Sequence, residues 1–182
     1  MSDTPQVCSV CLDTTAVRGC INLRGCAKIS PIVIQQLGQE LPGTANTMSF
    51  GSSTIYWLGP DEWLILTDGE DTSSLMHKLR DSLSENHTSV TDVSGGYIIL
   101  RISGSSARDV LSKGCTLNLS PADGFVRGIC AQSSLAKSNV LLGCIDEQTC
   151  FEIIVRRSYS QYLMLWLTRA GAEYGLQITR SQ

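Results

Sequence analysis

The sequence predicts an α+β fold of two duplicated β-α-β-β-α lobes with mainly antiparallel sheets, on three observations. Short runs with period-two alternation fall between a few stretches of helical spacing, and they come in pairs rather than one per helix. That order builds α+β halves, not a parallel doubly wound sheet. Ile21-Asn22-Leu23-Arg24-Gly25 ahead of one helix is matched by Leu100-Arg101-Ile102-Ser103-Gly104 ahead of another, a repeat of about 75 to 80 residues. The predicted organisation is an N-terminal tail at 1–17, one domain at 18–176 with lobes at 18–88 and 89–176, and a C-terminal tail at 177–182.

Taken in order, residues 1–15 lack periodicity and read as a tail or ordering arm. Residues 20–25 alternate and then turn. Ser30-Pro31 is a cap with proline at the first helical position, and Val33, Ile34, Leu37 and Leu41 make an apolar stripe that Pro42-Gly43 is expected to end. Residues 47–66 hold two strand-like runs, the second broken by Gly59-Pro60-Asp61, which suits a tight turn. Leu75, Met76, Leu79 and Leu83 then share one helical face.

Residues 91–115 carry a turn, a strand, a second turn and a helix without interruption. Ile98, Leu100 and Ile102 face one way and Tyr97, Ile99 and Arg101 the other. Gly104 ends the strand, Ser106 with Asp109 is expected to cap a helix carrying Ala107, Val110 and Leu111, and Gly114 to stop it left-handed. Strands are expected at 128–135, 139–145 and 151–157. Ser158 with Gln161 reads as another capping box, followed by one buried stripe of Tyr159, Tyr162, Leu163, Trp166, Leu167 and Ala170 up to Gly175.

At 182 residues, 42% hydrophobic and only 17% charged, the chain has enough sequence for a core and is light on solubilising charge, as expected of a surface partly covered by partners. A net charge of -3, with Arg156-Arg157 as the basic cluster, gives no attraction to nucleic acid. No apolar run reaches the ~18 residues of a membrane span and Met1 to Gln6 has no leader pattern, so a cytoplasmic chain is expected. Its 8 cysteines are expected to be reduced. Cys8 and Cys11 form a CxxC, with Cys20 and Cys26 following, but the wide second spacing fits a zinc site poorly.

Catalytic signals are sparse. Asp61 and Glu62 are neighbours that a strand would send to opposite faces, so they read as turn residues rather than an acid/base pair. His77 and His87 read as surface residues. No Gly-x-Gly-x-x-Gly, phosphate loop or nucleophile elbow occurs. No catalytic, cofactor-binding or metal residue is therefore assigned; Pro60, Asp61, Trp63, Arg156 and Arg157 are the candidate subunit contacts.

Asp92-x-Ser94 ahead of a strand, then Gly104, Ala107 and Leu111, resembles the second half of the folate-binding fold of the glycine-cleavage aminomethyltransferase superfamily. With Trp57-Leu58-Gly59-Pro60-Asp61-Glu62-Trp63-Leu64, Lys113-Gly114-Cys115 and Val155-Arg156-Arg157-Ser158-Tyr159 followed by Tyr162-Leu163, the order of motifs resembles the gamma subunits of heterotetrameric sarcosine oxidases over residues 18–170. The resemblance implies a non-catalytic subunit that joins alpha, beta and delta subunits, chiefly alpha. It further implies FAD, FMN, NAD and zinc on those other subunits, and a complex that demethylates sarcosine to glycine, forming hydrogen peroxide and passing the one-carbon unit to tetrahydrofolate. The superfamily's glycine and paired acidic residues on the later hairpin have no counterpart in residues 128–142, GICAQSSLAKSNVLL, which argues against independent aminomethyl transfer. Three alternatives stay open: a standalone folate-binding protein, the equivalent subunit of a related N-methyl amino acid dehydrogenase, and a metal module on Cys8, Cys11, Cys20 and Cys26.

Overall fold

The computed structural model describes residues 9–14, 19–67, 72–146 and 149–180. In chain order these form β1 (Cys11–Thr14), β2 (Gly19–Arg24), α1 (Ser30–Leu37), β3 (Met48–Phe50), β4 (Ser53–Gly59), β5 (Glu62–Thr67), α2 (Thr72–Ser82), β6 (Ser89–Asp92), β7 (Tyr97–Ser103), α3 (Ala107–Ser112), β8 (Cys130–Leu135), β9 (Ser138–Cys144), β10 (Cys150–Arg156), α4 (Ser160–Gly171) and β11 (Gln177–Arg180). The described residues divide into two units, one drawn from Met1–Ala16, Ile98–Arg127 and Gln132–Gln182, the other from Val17–Tyr97 and Gly128–Ala131. The α+β class is as expected, and the strand pairings resolved within each sheet are antiparallel except β1 with β11.

The unit containing α1 and α2 has a five-stranded sheet in the order β3-β4-β5-β2-β6. Alternation along β2 sends Ile21 and Leu23 into a cluster with Ile55, Trp63, Ile65 and Val90 from other strands of the sheet, with Val33, Leu37, Leu75, Met76 and Leu79 from the two helices, and with Leu83 just past α2. Burying a Leu or Ile side chain stabilises by about 1.5–3 kcal/mol, so this apolar cluster holds helices and sheet together. α1 ends earlier than the stripe predicted: Gly38 turns left-handed at φ 67° and its N–H donates to the Ile34 carbonyl at 2.7 Å. Leu41 stays in the cluster beyond the helix end.

The other unit has a six-stranded sheet, β11-β1-β7-β10-β9-β8. Both expected tails contribute strands to it. β1 runs antiparallel to β7, pairing Cys11 with Ser103, and parallel to β11, pairing Cys11 with Gln177. Backbone ladders with distant segments order these residues despite their weak periodicity. Gly104 does end β7, at φ 116°, where a Cβ would collide with the Ser9 carbonyl.

Two expected capping boxes do not form. Ser106 makes no side-chain cap bond; its N–H donates to the Ser9 carbonyl at 3.2 Å. Ahead of α4, Arg157–Tyr159 forms a 3-10 turn, and the Ser160 hydroxyl donates back to the Arg157 carbonyl at 2.7 Å, so the helix starts after Ser158 rather than on it. Gly114 is not left-handed; it lies against the Trp166 ring, which a side chain there would strike. No helix among the described residues is long and apolar enough to cross a membrane.

Candidate functional site

The β4–β5 hairpin carries three of the five expected contact residues. Pro60 and Asp61 are exposed at its turn, where the Asp61 carbonyl accepts from the Gly25 N–H at 2.9 Å. Trp63 is not available: its side chain is 3% exposed within the apolar cluster, and its indole N–H donates to the Pro42 carbonyl at 2.9 Å. An indole buried with its one donor satisfied is a core residue, so Trp63 is removed from the contact set. Glu62 opens β5 rather than sitting in the turn, and accepts from Asn22 at 2.9 Å and from Arg24 at 2.8 Å on the adjacent strand.

Asp92 and Ser94 form a lock at the end of β6. One Asp92 oxygen accepts from the Ser94 hydroxyl at 2.5 Å and from the Ser94 N–H at 2.8 Å, while the Ser94 oxygen accepts from the Cys20 N–H at 2.9 Å. The hydroxyl bond first, then the backbone bond, holds the Asp92 carboxyl below its ordinary value of 3.8. This pair fastens β6 to β2, and the Val93 N–H adds a 2.9 Å bond to the Cys20 carbonyl. The sequence marked both residues but not this local reason for them.

Arg156 ends β10 and Arg157 begins the turn that follows, both exposed, after five buried residues Phe151, Glu152, Ile153, Ile154 and Val155. The buried stripe of α4 is narrower than expected. Leu163, Leu167 and Gly171 face inward, whereas Tyr159 and Tyr162 are 47% and 38% exposed. Leu165, outside the expected stripe, is 52% exposed. An apolar residue off the inward spacing was the signal for it. His77 and His87 are exposed.

The four N-terminal cysteines are described only in part. Cys20 is buried at 1%, Cys26 is exposed, Cys11 lies in the other unit, and Cys8 lies outside the described residues. Among the described residues no three of His, Cys, Asp and Glu gather as a metal-holding group. Burial pushes the Cys130 thiol up to about 12, against a weaker opposing hydrogen bond toward Trp57, and burial likewise raises Cys150 to about 11. Such thiols are poor nucleophiles.

The model of the "Sarcosine oxidase, gamma subunit family" matches residues 25–173. The chain is 31% identical over 145 residues to the sarcosine oxidase subunit gamma of Corynebacterium sp. strain U-96, covering 79% of this chain and 64% of that relative. It is 29% identical over 150 residues to that of strain P-1, covering 82% and 71%. The match thus spans less than two thirds of the U-96 protein. A chain of the heterotetrameric sarcosine oxidase of Corynebacterium sp. U-96, solved with pyrrole 2-carboxylate, superposes with a TM-score of 0.83 at 27% identity, over 91% of this chain and 85% of that one. The glycine cleavage system aminomethyltransferase T of Bartonella henselae superposes at 0.69 and 12% identity, over 96% and 48%, which shows a shared fold. With the family match running unbroken from the turn after β2 to the end of α4, this chain belongs to the sarcosine oxidase gamma subunit family.

Proposed function

We propose that this chain is a non-catalytic gamma subunit of a heterotetrameric sarcosine oxidase, assembled with alpha, beta and delta subunits and chiefly with alpha. The observation that carries the reading is the family match over residues 25–173, which takes in α1 to α4. On this reading the flavins, the dinucleotide and zinc sit on the other subunits. The complex demethylates sarcosine to glycine, yielding hydrogen peroxide and 5,10-methylenetetrahydrofolate in the cytoplasm. Pro60 and Asp61 of the hairpin and Arg156 and Arg157 after β10 are contacts to those subunits. The element orders β2-α1-β3-β4-β5-α2-β6 and β7-α3-β8-β9-β10-α4-β11 support reading the two lobes as a duplication.

Gentle purification of the tagged chain from its own cells tests this. Recovery of the larger subunits with a flavin spectrum is expected; a lone, colourless chain contradicts it. The aminomethyltransferase likeness favours a second reading, a standalone folate-binding protein, although a fold alone licenses no activity. Calorimetry of the isolated chain with tetrahydrofolate separates the two: heat of binding supports the standalone protein, and its absence the subunit.

A further inference from the structure

We infer that the outward face of α4 seats a larger oxidase subunit, through an apolar patch on that subunit flanked by carboxylates. The inference rests on the gamma-subunit reading and names the surface which that reading leaves open. Tyr162, Leu165 and Arg169 are spaced i, i+3 and i+7 on the helix, opposite the inward Leu163, Leu167 and Gly171, and all three are exposed. Tyr159, in the turn before the helix, is exposed as well, at 47%. Tyr159, Tyr162 and Leu165 are three of the four exposed large hydrophobic residues among the described residues. A single exposed leucine is ordinary, but three large apolar side chains within seven positions form a patch.

Charge selects the occupant. Residues 156–173 hold three arginines, Arg156, Arg157 and Arg169, and one carboxylate, Glu173, which pairs with Lys113, in a chain whose net charge is -3. All three are exposed. A second copy docking face to face would set this positive surface against itself, whereas a partner bearing carboxylates around an apolar centre is matched in both respects. Tyrosine and arginine are also the residues on which binding energy concentrates at the centre of interfaces.

The test titrates the tagged chain with the larger subunits of its own oxidase, identified by mass, for wild type, Tyr162→Ala, Leu165→Ser, Arg169→Glu and Arg169→Lys, with His77→Ala on α2 as control. Tyr162→Ala and Arg169→Glu are each expected to weaken assembly about tenfold or more. Arg169→Lys should retain most of the affinity, His77→Ala all of it, and melting of every free variant should match wild type. If wild type assembles and the α4 variants assemble equally well, the surface is wrong while the subunit reading stands. If wild type recovers no larger subunit, both fall. Loss on Tyr162→Ala with none on Arg169→Glu overturns the carboxylate-bearing partner, and a wild-type homodimer that these variants split overturns the heterologous one.

Discussion

α2 and α4 each turn a short apolar stripe inward, Leu75, Met76 and Leu79 in one and Leu163, Leu167 and Gly171 in the other. Outward they part: α2 shows His77, Lys78, Arg80 and Asp81, whereas α4 shows Tyr162, Leu165 and Arg169. Folding requires only the inward stripe, and water accepts the outward face of α2 as it stands. The outward face of α4 thus carries apolar side chains that folding does not use, the surface proposed above to seat a larger subunit. Two ion pairs show a second contrast, in burial. Arg24 and Glu62 meet at 2.8 Å with side chains 60% and 25% exposed, while Arg101 and Glu152 meet at 3.0 Å with Glu152 fully buried and Arg101 39% exposed.

The inward stripes should be alike in energy, and that is where the largest effects lie. Leu79→Ala and Leu167→Ala, both at 0% exposure, are each expected to cost about 2–5 kcal/mol, read from urea midpoints. A near-neutral Leu167→Ala would break the likeness. Next comes Arg101→Ala, which leaves the buried Glu152 without this guanidinium and should cost about 3 kcal/mol, the low end for a buried pair because Arg101 itself is partly wet. Arg24→Ala, removing the same chemistry at the surface, should cost no more than about 1 kcal/mol, with added salt narrowing the difference. Equal losses from the two arginine variants would mean that burial does not set the value of these pairs.

The smallest effect is at Asp92. Its folded value lies below the ordinary 3.8, so its contribution is present above that value and is lost as pH falls through the folded one. Melting curves of Asp92→Asn should therefore show less acid sensitivity than wild type below pH 3.8 and a slightly lower midpoint near neutrality. An unchanged acid limb would show that Ser94 does not lock this carboxylate.

Local chemistry made much of this legible in the sequence. Gly104 announced a strand end that only glycine can make against the Ser9 backbone, and the helical spacing of Leu75, Met76 and Leu79 found the inward face of α2. What escaped depended on distant partners. β1 and β11 order each other through a parallel ladder joining residues more than 160 positions apart, which no local pattern reports. Trp63 looked like a contact and is core, whereas Tyr159 and Tyr162 looked like core and are exposed. An aromatic side chain is apolar enough for either setting, so only the direction of its neighbours' burial decides. The alternation of residues 97–102 was also incomplete evidence: Ile99, on the face opposite Leu100 and Ile102, is buried as they are, so both faces of β7 carry a buried side chain.

Side-chain footprinting of the chain, free and within the proposed oxidase complex, tests the central claim most directly. Tyr159, Tyr162 and Leu165 should be modified in the free chain and protected in the complex, with His77 modified equally in both. Continued modification of Tyr162 and Leu165 in the complex, or protection centred on His77 instead, would contradict the account.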